Sequence, residues 1–315
     1  MRGMIFKKKN SKILLACLVA TLVFSACKKF QGDVEVPAFL HLDRIDIAPQ
    51  PQNAPSSEPG FYSSIVDAAQ LICYYEGDAS ESDLGVFQLP FTVPILHHGP
   101  VKYIKVVPVI KQNGISGTRI SYPFFQTTQI DDVFVAKDSV TNIGTLDNGQ
   151  WTLKAHYIPR RQMDILMEDY FEPTSFSTNF DSCITWVRNE PDQACTGQGY
   201  GLLDVPDSVT TSTFSINIDL KPKTGQVLYL EMDYQTDLEL YVNMLGFVYS
   251  SGGSASSKPI MTLLPNDRWQ KIYINLGRTW GQYNYNTPIR LFFQAANPNK
   301  TGGKVKIDNV KIVAK

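Results

Sequence analysis

The strongest constraint in this chain is how briefly its apolar runs last. They alternate apolar and polar residues over five to ten positions, then meet Pro, Gly or a Ser/Asn/Asp cluster. "AFLHLDRIDI" (38–47) has Phe39, Leu40, Leu42, Ile45 and Ile47 as its apolar members. "PQPQNAPSSEPG" (49–60) follows, which sustains neither a helix nor a central strand. "IVDAAQLICYYEG" and "LGVFQLP" read as two strands joined by the acidic turn "DASESD", and "VKYIKVVPVIK" as a half-buried strand. A second series comprises "GYGLLDV", "TFSINIDL", "VLYLEMDY", "LELYVNML", "QKIYINL", "IRLFFQAA" and "KVKIDNVKIV". The turns "KPKTGQ", "SSGGSASS", "PND" and "NPNKTGG" separate these strands. No long stretch carries a helical period capped at both ends. The expectation is an all-β protein of two β-sandwiches, over 37–150 and 167–315, with 151–166 as linker.

The amino terminus has a different pattern. Arg2, Lys7, Lys8, Lys9 and Lys12 precede an apolar run from Ile13 to Ala26. That run is shorter than the roughly 20 residues a spanning helix needs. A basic head, a short apolar run and small residues at its end make a secretory signal, 1–26. "FSAC" (24–27) resembles the bacterial lipobox. The resemblance implies that Cys27 is acylated and becomes the first residue, with 27–36 as a polar tether. Cleavage leaves 24 basic and 30 acidic residues, about −6 net, which disfavours nucleic-acid partners. Lipid on Cys27 holds the body at a membrane.

Of the remaining cysteines, Cys73 lies in an apolar run and reads as a core thiol. Cys183 and Cys195 flank "CITWVRNEPDQAC" and are either a disulfide or two free thiols. No CxxC, HExxH, G-x-S-x-G, Walker loop or GxGxxG occurs. His97-His98 point opposite ways if the segment is extended, so they do not share a metal. The carboxylate pairs Asp131-Asp132 and Glu168-Asp169 (with Glu172) are not a catalytic pair by spacing alone, because a glycosidase needs its two acids facing across a cleft. No enzymatic activity is expected.

"EDYFE", "GYGLL", "WQKIYINL" and the closing "KVKIDNVKIV" make the second domain similar to galactose-binding-like jelly rolls, which include carbohydrate-binding modules. The first, through "YYEGDASESDLGVFQLPFTVPIL" and "VVPVIKQNGISGTRISYPFF", resembles the Ig-like amino-terminal part of Bacteroidota lipoproteins. The jelly-roll resemblance implies a candidate structural calcium between Glu172 and Asp308, with carboxylate oxygens as ligands, and no other cofactor. "DSV" at 138–140 and 207–209 resembles a Bacteroidota O-glycosylation acceptor, with Ser139 and Ser208 as acceptors.

In "GRTWGQYNYNTP" (277–288), Trp280, Tyr283 and Tyr285 stand among Gly, Gln and Asn. Flat rings stack on sugar faces, and Arg278, Gln282 and Asn284 pair with hydroxyls. The same residue types anchor protein interfaces. The rings alternatively fold back over the sandwich edge. The expected role is a non-catalytic, lipid-anchored outer-membrane protein serving as a binding or scaffolding subunit of an envelope complex, with outer-membrane proteins as partners. The alternative is a glycan-binding lipoprotein using the aromatic loop. Lys28-Lys29, where acids are usual after a surface-exported cysteine, leave the face of the membrane open.

Overall fold

The computed structural model describes residues 35–50, 54–173, 178–247, 255–283 and 287–315. Cys27, the signal and most of the tether lie outside them. Among the described residues no helix is long and apolar enough to cross a membrane.

The chain is all-β, as its alternation predicts. The first sandwich opens with β1 (Ala38–Leu42) and β2 (Arg44–Ala48). The single run "AFLHLDRIDI" is thus two strands. Its inward positions are 38, 40 and 42, then 45 and 47, so the phase slips at Asp43. Asp43 holds the break: its carboxylate accepts the Trp151 N–H at 2.6 Å while its own N–H bonds the Trp151 carbonyl. β3 (Ala68–Tyr75), β4 (Ser82–Gln88), β5 (Phe91–Ile95) and β6 (Gly99–Lys111) follow. Then come β7 (Arg119–Ser121), β8 (Thr128–Val135), β9 (Val140–Asn142), β10 (Thr145–Asp147) and β11 (Gln150–His156). One sheet runs β4-β3-β6, and β6 is long enough to pair β8 with its first half and β7 with its last residues. The opposite layer is two small sheets, β5-β1-β9 and β10-β11-β2, each with one parallel pair.

β11 corrects the expected linker over 151–166. Leu153 and Ala155 are buried in the first core and the strand lies parallel to β2. The second sheet system begins directly at β12 (Asp164–Asp169). The second sandwich continues with β13 (Thr185–Arg188), β14 (Gly199–Val205), β15 (Thr211–Ser215), β16 (Leu228–Thr236) and β17 (Glu239–Phe247). It ends with β18 (Ala255–Leu263), β19 (Asn266–Asn275), a helical turn α1 (Gly277–Trp280), β20 (Arg290–Ala296) and β21 (Gly303–Ala314). The sheet β13-β14-β21-β16-β19, with β12 also on β21, faces the sheet β15-β20-β17-β18. All pairings of the second sandwich are antiparallel.

The outer face of the larger sheet is not solvated along β16. Alternation makes Tyr229, Glu231 and Asp233 of β16 point away from the core, yet they are 2%, 0% and 3% exposed. The first sandwich covers them. Glu231 accepts the hydroxyls of Tyr122 (2.7 Å) and Tyr157 (2.8 Å) and lies 3.3 Å from the Lys311 ammonium. Lys311 donates to the Phe61 carbonyl and sits against the rings of Phe61 and Tyr157. Burial pushes Lys311 down to about 8, with Glu231 opposing. Asp233 accepts from Ser63 and Asn309. Asn113 bonds the Tyr273 carbonyl and the Asn275 N–H, and Tyr229 reaches Gln112. Gly60 has to be glycine, since a Cβ there falls 2.2 Å from Asn309 Oδ1.

Removing one member of a fully buried ion pair strands the other charge and costs about 3–5 kcal/mol. Lys311→Met therefore lowers the unfolding free energy by that amount in urea at pH 7. Glu231→Gln/Lys311→Met recovers part of it. A loss under about 1 kcal/mol in the single variant would show that the pair does not hold the junction.

Candidate functional site

The aromatic loop is a plug, not a platform. Trp280 is 3% and Tyr283 1% exposed, both in the second core. Tyr283 donates to the Met244 carbonyl at 2.6 Å, and its ring lies where a Cβ on Gly246 would clash at 2.8 Å. Gln282 is tied to Lys258 and to the Arg278 carbonyl. Of the described set, Arg278 and Gln282 are exposed. Asn284 and Tyr285 lie outside the described residues. The Gly and Gln neighbours that suggested a solvated site serve the tight turn that folds these rings inward.

The sequence reading missed the face that is open. Leu240, Val242 and Met244 of β17 and Leu291, Phe293 and Ala295 of β20 fill the core. Their alternates point outward from the smaller sheet. Register then builds rows across the strands. Thr213, Gln294, Tyr241 and Thr262 form one, and Ser215, Phe292 and Asn243 the next. Glu239 opposite Ala296 and Arg290 opposite Leu245 bracket them. Tyr241, Phe292 and Gln294 are half-buried, and Glu239 and Arg290 exposed. The Tyr241 hydroxyl donates to Glu239 at 2.9 Å, and this bond holds the phenol above its ordinary range. Arg290 pairs with Asp219, and that hydrogen bond lowers the carboxyl. Two rings, an amide pair, a carboxylate and a guanidinium thus share one sheet face. Only strand register brings them together, because they come from positions 239–243 and 290–294.

The expected calcium ligands do not fit an ion. Asp308 is buried, and its oxygens accept N–H groups of Cys195 (3.2 Å), Thr196 (3.2 Å) and Asn309 (2.7 Å). Glu172 accepts the Gln198 N–H. Amide hydrogens converge on Asp308 and one reaches Glu172, whereas a cation needs oxygens around it. Burial pushes Asp308 up to about 8 against these donors, with Asp233 adding to the rise. Among the described residues no three His, Cys, Asp or Glu side chains are grouped to hold a metal.

Cys183 and Cys195 are free, as is Cys73. Ser208 lies exposed in a turn, and Ser139 is half-buried just after one. Asp131 accepts from Gln129, Glu168 from Tyr170, and buried Asp169 from Thr178 and Asn179. These acids are committed to local structure. His97 stacks on Tyr75 and bonds Pro100, while His98 bonds Val36.

No protein-family model matches the chain, and no curated protein matches it. Among solved structures it is similar to the CBM22-1–GH10 modules of a Clostridium thermocellum xylanase complexed with xylohexaose. That match has 11% identity and TM-score 0.32, covering 47% of this chain and 28% of that one. It is also similar to a family 11 carbohydrate-binding module of Clostridium thermocellum in complex with a mixed-linked tetrasaccharide, at 13% identity and TM-score 0.32. Here 46% of this chain and 94% of the other are covered. A third, from the β-sandwich superfamily of carbohydrate-binding modules, has 11% identity and TM-score 0.32 over 89% of this chain and 99% of that one. At these scores the likeness carries nothing about what this chain binds.

Asp308 supplies a pH test. Its carboxyl titrates near 3.8 when unfolded and near 8 when folded, so between those values the native state keeps a proton the unfolded state has lost. The stabilisation is full below pH 3.8 and disappears as pH rises through 8. The Asp308 contribution to the unfolding free energy, read from urea unfolding, falls across this window by at most about 1.4 kcal/mol per pH unit. Asp308→Asn flattens that slope, whatever its absolute stability.

Proposed function

We propose that this chain is a non-catalytic, glycan-binding protein, tethered to an outer membrane through lipid on Cys27, and that the outer face of β15-β20-β17-β18 is its ligand surface. One observation carries the reading: strand register sets Tyr241, Gln294 and Phe292 close together and half-buried on the outer face of the smaller sheet. Aromatic rings with a few fixed polar groups are the usual lining of small-molecule sites. Here the rings offer flat apolar area to a sugar, and Gln294 and Glu239 offer hydrogen bonds to its hydroxyls. The lipid anchor is supported by the "FSAC" pattern after a short apolar run. The role as an accessory subunit of an envelope complex is the second reading. Leu245 and Phe247, each 38% exposed at one end of the same face, favour it, since they suit a protein partner.

The test is a glycan array followed by affinity electrophoresis with the purified chain. Tyr241→Ala and Gln294→Ala each weaken glycan binding at least about tenfold, roughly 1.4 kcal/mol, with an unchanged melting temperature. An array with no bound glycan, together with co-purification of a membrane protein that Phe247→Ser abolishes, rejects the glycan reading in favour of the second.

A further inference from the structure

A recess lies where the two sandwiches meet. It is about 310 Å³ and lined by Ile65, Asp67 and Lys111 of the first and Gln270, Lys271 and Tyr273 of the second. Its hydrogen-bond inventory is lopsided. The Lys271 side chain is 1% exposed, yet its acceptors, Asp233 Oδ2 and Asn309 O, are both 3.5 Å away. That is the outer limit of a hydrogen bond, and an ammonium has three donors. Asp233 also serves Ser63 and Asn309. On the opposite wall, Asp67 is divided between Lys111 and Arg119, each at 2.5 Å. Lys111, 34% exposed, keeps further donors. The Tyr273 hydroxyl accepts from the Ile65 N–H and so retains its own proton to give. Lys111 and Lys271 thus face two carboxylates that already have other partners, and Ile65, 55% exposed, adds an apolar wall.

We infer that this junctional cleft binds a carboxylate-bearing sugar, a uronate, with Lys111 and Lys271 on the carboxylate, Gln270 and Tyr273 on neighbouring oxygens, and Ile65 against the ring. The site stands apart from the sheet face of β15-β20-β17-β18 and does not depend on it. An amide-lined or neutral pocket would not prefer the acid; a cleft with surplus cationic donors does. The geometry also sets the size. A cleft of about 310 Å³ suits one sugar residue, such as the end of a chain, rather than a run of several.

The experiment is calorimetric titration of the full chain with glucuronate, glucose and acetate at fixed ionic strength. Glucuronate binds at least about tenfold more tightly than either control. Lys111→Gln, a change at the rim that leaves Arg119 on Asp67, removes that preference, and Tyr241→Ala does not. Lys271→Met is expected to do the same as Lys111→Gln but strands Asp233, so the rim variant carries the test. Equal binding of glucuronate and glucose, equal binding of acetate, or a preference unchanged in Lys111→Gln overturns the assignment.

Discussion

The junction between the two sandwiches is organised by one buried ion pair, Glu231 with Lys311. Neither side chain has measurable exposure. Two charges taken from water are tolerated only when their remaining capacity is filled. Here Tyr122 and Tyr157 supply hydroxyls to the carboxylate, and the Phe61 carbonyl takes the ammonium. Every one of these partners comes from the first sandwich, whereas the pair itself sits on β16 and β21 of the second. Neither sandwich completes its polar bonding alone. The two are therefore one structural body, and the first is not a freely swinging spacer.

This arrangement decides which surfaces are left for function. A β-sandwich has two outer sheet faces. The first domain takes one of them, so recognition by the second sandwich falls to the other face or to the margins of the junction. Tyr241, Phe292 and Gln294 occupy the first option. The cleft under Ile65 is the second. The loop at 277–283, by contrast, is consumed in closing the end of the core.

Strand alternation in the sequence was sufficient to read the architecture, because a half-buried sheet imprints a period of two. It was sufficient for most strands of the second sandwich, and it failed in instructive places. "VLYLEMDY" alternates as a solvated strand does, yet its outward residues are buried, since polarity records the absence of apolar neighbours and not the presence of water. For Trp280 and Tyr283 the sequence left open a solvated site or a fold back over the sandwich edge, and the structure takes the second, because their polar neighbours belong to a turn. Leu153 and Ala155 were missed as core because their strand partner, β2, lies about a hundred positions away in the chain. The open face was illegible for a similar reason: Tyr241 and Gln294 become neighbours only through a register that no single strand reveals.

The position of Lys311 within the chain has a consequence for the order of assembly. β21 is the last strand of the second sandwich, and it joins β12, β14 and β16 at once. Until it arrives, Glu231 lacks its cation, Asp233 lacks Asn309, and the larger sheet has a gap at its centre. Tyr122, Tyr157 and Phe61 then form a sticky, half-polar surface on a first sandwich that has already been synthesised. Domains emerge and fold from the amino terminus, and such waiting surfaces invite misassembly. The final strand acts as a late latch: closing the second sandwich and docking it on the first are the same event.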